Sequence, residues 1–106
     1  YKIKPYSLEQ AKRLNVIIKP SRRANKKIDV FDKDNKYIVS FGDDRYKDYP
    51  TYLEEDKELA EERRRAYHSR HKNNDGLAGF YASKILWWIL KLFLYRVIIY
   101  KWFLKI

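Results

Sequence analysis

The sequence has no cysteine and contains only three glycines and three prolines among its 106 residues. The absence of cysteine excludes disulfide bonds and thiol catalysis, and it removes a frequent ligand of structural zinc sites. So few glycines and prolines argue against a repetitive or low-complexity chain. The length fits a single domain with a modest core, to which ten Tyr, five Phe and three Trp can contribute large buried areas.

Acidic residues are unevenly distributed, and this gives the chain a charge pattern beyond its net charge of +10. Residues 1–27 carry +8, residues 28–56 carry −5 and residues 57–75 carry +2. Residues 76–106 carry +5 and contain no acid. A basic N-terminal arm, an acidic middle and a basic C-terminus are typical of a protein that contacts several surfaces, although solubility alone is the simpler explanation.

Residues 85–106 form a long apolar and aromatic stretch without any acidic residue. Cations interrupt it at Lys91, Arg96, Lys101 and Lys105. The stretch is long enough to span a bilayer, but its cations oppose insertion. On a helical wheel Lys84 and three of the cations share one arc and Arg96 lies opposite, which is the pattern of an interfacial helix. Three placements stay open for this stretch: against another protein, on a membrane, or folded back into its own core.

Alternating apolar residues in 27–31 and 37–41, separated by the turn-forming residues 32–36, predict a β-hairpin. The β-branched run 15–19 predicts a third antiparallel strand. Ahead of it, Ser7 to Gln10 has the form of a capping box, which predicts a short helix that begins there and continues to about Leu14.

The second half of the chain predicts an aromatic loop over residues 45–52 and one helix over residues 53–71. Arg63 and Arg70 fall on the apolar arc of this helix, which is unusual. A last helix is expected to begin near Gly79 and to continue into the C-terminal stretch.

The predicted fold class is therefore α+β, with a small antiparallel sheet packed on the 53–71 helix and a C-terminal aromatic, basic helix. Residues 1–87 are predicted to form one small domain with a basic N-terminal arm. Residues 88–106 are predicted to be an apolar, cationic extension.

The sequence shows no arrangement that is typical of catalysis. His68 and His71 are three residues apart on the predicted helix, but zinc needs further ligands and the neighbouring arginines repel a cation. The clusters Arg63–Arg65 and Arg70–Lys72 could bind nucleic-acid phosphates, with interleaved acids as the opposing argument. We therefore predict that the protein is not an enzyme and holds no cofactor or metal.

Four short motifs occur in a fixed order along residues 16–87. They are Pro20-Ser21-Arg22-Arg23-Ala24-Asn25-Lys26-Lys27, Val39-Ser40-Phe41-Gly42-Asp43, Arg64-Arg65-x-Tyr67-x-x-Arg70-His71 and Gly79-Phe80-Tyr81-Ala82-Ser83-Lys84-Ile85-Leu86-Trp87. In these motifs the chain resembles a family of small basic proteins of unknown function from large double-stranded DNA viruses of algae and amoebae. The resemblance implies a viral origin and a component of the virus particle, while the stretch after Trp87 departs from the family pattern.

The resemblance and the residues together predict a structural virion protein. It would be a minor capsid protein that bridges larger capsid subunits on the inner face of an icosahedral shell, where the C-terminal stretch could face an internal membrane. Its predicted partners are the major capsid protein and other minor capsid proteins, and its predicted location is the virion, after assembly in the host cytoplasm. The alternative is a virion protein that binds genome phosphates through Lys and Arg.

Two sets of contact residues follow from this prediction. The partner or membrane contacts are Trp87, Trp88, Lys91, Phe93, Tyr95, Arg96, Tyr100, Lys101, Trp102 and Phe103. The basic contacts are Arg22, Arg23, Lys26, Lys27, Arg64 and Arg65. Within the body, Tyr67, Arg70, His71 and Trp87 are expected to tie helix to sheet, with Phe41 and Trp87 in the core.

Overall fold

The structure is a computed structural model that describes residues 1–72 and 76–88. These residues form an α+β fold, which confirms the predicted class. In chain order the elements are α1 (Pro5–Arg13), β1 (Ile17–Pro20), β2 (Lys26–Phe31), β3 (Tyr37–Asp43), α2 (Tyr49–Glu55), α3 (Lys57–Arg70) and α4 (Leu77–Leu86).

The sheet has three antiparallel strands in the order β1-β2-β3, as the alternating sequence predicts. Ile28 pairs with Phe41 and Val30 with Val39, so the apolar residues of the hairpin share one face. In the turn between β2 and β3, the Asp32 carboxylate accepts hydrogen bonds from the backbone N–H groups of Asp34 and Lys36, at 2.9 Å each. This side-chain turn fixes the register of the hairpin.

The N-terminal helix begins earlier than the capping-box pattern predicts. Pro5 occupies the first turn of α1 and Lys4 is the N-cap residue. Ser7 lies inside the helix and is fully buried, and its hydroxyl donates to the Ile85 carbonyl at 3.0 Å. The predicted basic arm is therefore part of the folded body, because α1 packs against α4 and β1.

The region after the sheet contains two helices where the sequence predicts a loop and one helix. Asp48 caps α2 by accepting a hydrogen bond from the Thr51 N–H at 3.1 Å, and a proline sits in the first turn. Asp56 then interrupts the helical path with an extended backbone, φ −163° and ψ 113°. Its side chain accepts from the N–H groups of Glu58 and Leu59, so it caps α3.

The core lies between the sheet and the helices. The sheet contributes Ile18, Ile28, Val30 and Phe41, and the helices contribute Ala11, Tyr49, Ala60, Ala82, Ile85 and Leu86. Among the helices, α4 has the closest backbone packing on β3, while α3 packs mainly on α2. The helix that chiefly covers the sheet is thus α4, and not the 53–71 helix of the sequence-based prediction.

Replacing Gly42 with Ala should lower the free energy of unfolding by about 1–3 kcal/mol, because Gly42 has a φ of +84°. An added Cβ would also lie 3.1 Å from a methyl group of Leu86 and from the Cβ of Lys27. Denaturant unfolding at neutral pH measures the effect. Asn25→Gly is the control: Asn25 has a φ of 66° that glycine accepts, so a change below about 0.5 kcal/mol is expected. Equal stabilities of the two variants would contradict the strain at Gly42.

Candidate functional site: a cleft and the end of the last helix

A cleft of about 690 Å³ opens between the end of β3, the loop after it, and the helices α2, α3 and α4. Its aromatic lining residues are Phe41, Tyr46, Tyr52, Tyr67 and Trp87, and its basic ones are Lys26, Lys27, Lys47, Arg63, Arg70 and His71. We call it the basic aromatic cleft. Its volume lies in the range of about 300–1,000 Å³ that is usual for small-ligand sites.

One wall of the cleft is a single face of α3. Arg63, Tyr67 and Arg70 line the cleft at spacings of four and three residues, so they lie on the same side of the helix. This explains why two arginines fall on an otherwise apolar arc: that arc faces the cleft. The cap at Asp56 fixes where α3 starts and therefore which residues it presents there.

A stack of three rings continues this wall. The rings of Tyr67 and Trp87 are parallel within 4° with centroids 4.5 Å apart, and His71 stacks on Tyr67 at 4.3 Å. Trp87 is 9% exposed, and burial raises the pKa of Tyr67. The stack joins α3 to the end of α4. The expected tie between helix and sheet is therefore corrected: Tyr67, His71 and Trp87 connect two helices, and Arg70 is not part of the stack.

The cleft carries positive charge that is only partly neutralised. Lys27 is paired with Asp48, and Lys47 with Glu55, each at 2.8 Å. Within the described part of the chain, the other cationic lining residues have no carboxylate partner within ion-pair distance. These are Lys26, Arg63 and Arg70. The cleft therefore favours an anion.

Asp43 is the single carboxylate among the described lining residues. Arg45 binds both of its oxygens, at 3.0 and 2.7 Å, and these hydrogen bonds lower the pKa of Asp43 to about 2. Such a carboxylate is a weak base and is already occupied by a guanidinium. Asp43 is consequently poorly suited to accept a proton.

A second feature is the end of α4, where Trp87 and Trp88 precede the apolar, cationic stretch of the sequence. Four backbone carbonyls in and just after the last turn of α4 accept hydrogen bonds from side chains of α1 and α3. Gln10 donates to Lys84 at 2.8 Å, Ser7 to Ile85 at 3.0 Å and Tyr6 to Trp88, while His68 contacts the Trp87 carbonyl at 2.8 Å. We call these four side chains the exit collar. They satisfy carbonyls that a helix end leaves unpaired.

All four sequence motifs behind the family resemblance contribute to the cleft. Lys26 comes from the first motif, Gly42 from the second, Arg70 from the third and Trp87 from the fourth. Tertiary structure thus brings together residues up to about sixty positions apart in the sequence.

The predicted basic contacts do not share one environment. Arg22, Arg23 and Arg65 are exposed, and Lys26 is an exposed residue of the cleft. Two residues are corrected. The Lys27 side chain is 5% exposed and bound to Asp48, and Arg64 is largely covered, with its Nε 3.1 Å from Glu61. Burial and an internal carboxylate partner make both unsuited to surface contacts.

Of the predicted C-terminal contacts, the structure describes two. Trp87 was predicted both as a partner contact and as a core residue, and the structure places it in the core. It is therefore not an exposed partner contact. Trp88 is half-buried, with the Lys84 ammonium 3.4 Å from its ring centroid. The other predicted contacts lie outside the described residues: Lys91, Phe93, Tyr95, Arg96, Tyr100, Lys101, Trp102 and Phe103.

Sequence reasoning did not select Tyr46, Lys47 and Tyr52 as site residues. It considered Arg63 and Arg70 as members of two clusters that could bind phosphates, but it did not include them among the predicted basic contacts. The two arginines gave a usable signal, because a cation on an apolar arc needs a polar environment. The loop residues gave none, since only the position of α2 brings them to the cleft.

No protein-family model, curated protein or solved structure matches this chain. The resemblance to a viral family therefore stays a prediction. Among residues 1–72 and 76–88, no helix is long and apolar enough to cross a membrane. The same residues contain no group of three or more His, Asp or Glu side chains that could hold a metal ion.

Proposed function

We propose that this protein is a minor capsid protein that joins larger capsid subunits on the inner face of an icosahedral viral shell. The observation that carries the proposal is the exit collar. It fixes the start of an apolar, cationic segment to two helices of the folded body. The motif resemblance supports the viral setting, and no part of the proposal requires catalysis.

The collar gives the body the mechanical property that a cementing protein needs. A segment that binds a neighbouring subunit can hold that subunit to the folded body only if the start of the segment is fixed to the body. Each hydrogen bond of the collar contributes about 0.5–1.5 kcal/mol on its own. The collar makes four such bonds, and they bind carbonyls within five consecutive residues. The start of the segment therefore cannot shift without breaking several bonds together. The donors are Tyr6, Ser7, Gln10 and His68.

The chemistry of residues 89–106 supports burial against protein. Fourteen of these eighteen residues are apolar or aromatic and none is acidic. Trp, Tyr and Arg are the residue types that contribute most at protein interfaces. Among residues 1–72 and 76–88, the buried hydrophobic side chains lie between Ala11 and Trp87. Its described residues contain no buried side-chain nitrogen or oxygen without a hydrogen-bond partner.

Incorporation of the full-length protein into virus particles tests the proposal. We expect Trp102→Ser/Phe103→Ser to reduce the amount of protein per purified particle at least about tenfold, since each lost aromatic anchor costs about 2 kcal/mol or more. Quantitative mass spectrometry of purified particles measures the amount. In wild-type particles, cross-links from Lys91, Lys101 and Lys105 should lead to shell subunits.

The matched control is Leu77→Ser/Phe80→Ser, which removes two exposed apolar side chains from α4, and its incorporation should stay within about twofold of wild type. Equal incorporation of both double variants would contradict the proposal, as would particles that lack the protein. If photo-cross-links from the segment reach only lipid, the proposal that it binds capsid subunits is contradicted, and its partner is an internal membrane.

A further inference from the structure

We propose that the basic aromatic cleft is a binding site for a nucleotide unit, a phosphate together with its base, supplied as a free nucleotide or by a single strand of nucleic acid. The inference does not depend on the capsid function proposed above. It rests on the charges, rings and size of the cleft.

The phosphate would be held by the three cations of the cleft that form no ion pair with a described carboxylate, Lys26, Arg63 and Arg70. The planar forks of Arg63 and Arg70 lie seven residues apart on one face of α3, and an Arg fork can bind two phosphate oxygens at once. Asp43, the single carboxylate among the described lining residues, forms an ion pair with Arg45. Asp43 is the one described lining residue that would oppose a phosphate, and Arg45 offsets its charge.

The base would be held by the tyrosines of the opposite wall. Tyr46 is 66% exposed, and one side of its ring is approached by the Arg45 guanidinium at 5.5 Å, which leaves ring surface for a second planar group. Tyr52 has the Arg63 and Lys47 cations 5.9 Å from its ring centroid. Rings next to backbone-binding cations are the arrangement with which proteins bind single-stranded nucleic acid without sequence preference.

An acidic peptide is the competing anion, and the cleft fits it less well. Carboxylates would use the cations, but they would leave the exposed Tyr46 ring without a planar partner. A volume of about 690 Å³ also suits one or two nucleotides better than an extended peptide.

Binding of the full-length protein, kept in a nonionic detergent that covers its C-terminal segment, to a fluorescein-labelled oligothymidylate of twelve nucleotides tests the inference. Arg70→Gln should weaken binding about five- to fiftyfold and reduce the slope of log affinity against log salt by about 0.7. Tyr46→Leu, which keeps an apolar side chain but loses the flat ring, should weaken binding about five- to fiftyfold with little change in slope.

Arg65→Gln is the matched control, because Arg65 lies exposed on the same helix, outside the cleft, and its loss removes the same charge. It should change the affinity less than about twofold. Circular dichroism confirms the fold of each variant, and Arg63→Gln replaces Arg70→Gln should that variant unfold. Equal losses for Arg65 and Arg70 would overturn the inference, because binding would then follow net charge alone.

Two further probes distinguish the sources of the nucleotide. If ATP binds by itself and displaces the oligonucleotide, the ligand is a free nucleotide; if only the oligonucleotide binds, it is a single strand. Absence of binding by both probes at low salt would overturn the inference. Binding of a polyglutamate peptide with the same dependence on Arg70, and of neither nucleotide probe, would overturn it in favour of an acidic protein partner.

Discussion

Replacing Asp48 with Asn is expected to lower the free energy of unfolding by about 3–5 kcal/mol, because it leaves the charge of Lys27 buried without its counter-ion. The side chains of Asp48 and Lys27 are 1% and 5% exposed. Asp48 accepts from Lys27 at 2.8 Å and from the Tyr1 hydroxyl at 2.5 Å through one oxygen, and from Thr51 through the other. This carboxylate therefore links the N-terminus, β2 and α2.

The loss would be a large part of the stability of a domain of this size, which is about 5–15 kcal/mol. Denaturant unfolding monitored by circular dichroism measures it. Adding Lys27→Met to Asp48→Asn should recover part of the loss, since no unpaired charge then stays buried. Asp44→Asn, an exposed neighbour, should change the stability by less than about 0.5 kcal/mol. Similar effects at Asp44 and Asp48 would exclude the buried pair as the cause.

The same variant has a distinct dependence on pH. Burial raises the pKa of Asp48, but hydrogen bonds from Lys27, Tyr1 and Thr51 outweigh this and hold the pKa below its ordinary value of 3.8. The stabilisation is therefore fully present above the unfolded pKa and is lost as the pH falls below 3.8 through the folded pKa. The difference in stability between wild type and Asp48→Asn should accordingly shrink below pH 3.8, and a constant difference would contradict this account.

Replacing Trp87 with Ala is expected to lower the free energy of unfolding by about 3–5 kcal/mol, the usual cost of removing a large buried aromatic side chain. Trp87 stacks on Tyr67 and lies at the end of α4, where the exit collar holds the backbone. The cavity would separate α3 from α4. For a domain of this size, the loss corresponds to a fall of more than about 10 °C in Tm by calorimetry.

The adjacent Trp88 provides a control of the same residue type. It is half-buried, and its described ring contact is the Lys84 ammonium, so Trp88→Ala should cost about 0.5–1 kcal/mol. Trp87→Phe keeps an aromatic ring against Tyr67 and should fall between the two alanine variants. A Trp87→Ala variant as stable as Trp88→Ala would show that Trp87 is not part of the core.

The sheet could be predicted from the sequence because its signals are local. Alternating apolar residues and a turn built on Asp32 specify the β2–β3 hairpin within about fifteen residues. The helical half was harder to predict, since Asp48 begins one helix and Asp56 separates it from the next. Asp48 and Asp56 resemble ordinary surface acids in the sequence, and only their bonds to backbone N–H groups identify them as caps.

The cleft could be predicted only in part. Arg63 and Arg70 lie on the apolar arc of the predicted helix, and this unusual position is explained by the cleft that both residues line. Their partners in the cleft come from the start of β2, the end of β3, the loop before α2, α2 itself and α4. Nothing in the local sequence relates Tyr46 to Arg70, because their proximity depends on how α2, α3 and α4 pack together.

The sequence by itself determined the α+β class, the antiparallel hairpin and the uneven distribution of charge, because each depends on neighbouring residues or on composition. Tertiary structure alone decided which charged residues stay in water. Lys26 and Lys27 are adjacent and chemically identical, yet one is exposed at the cleft and the other is buried on Asp48. The physical reason is that burial and pairing of a charge depend on every element that packs around it, and those elements are distant in the chain.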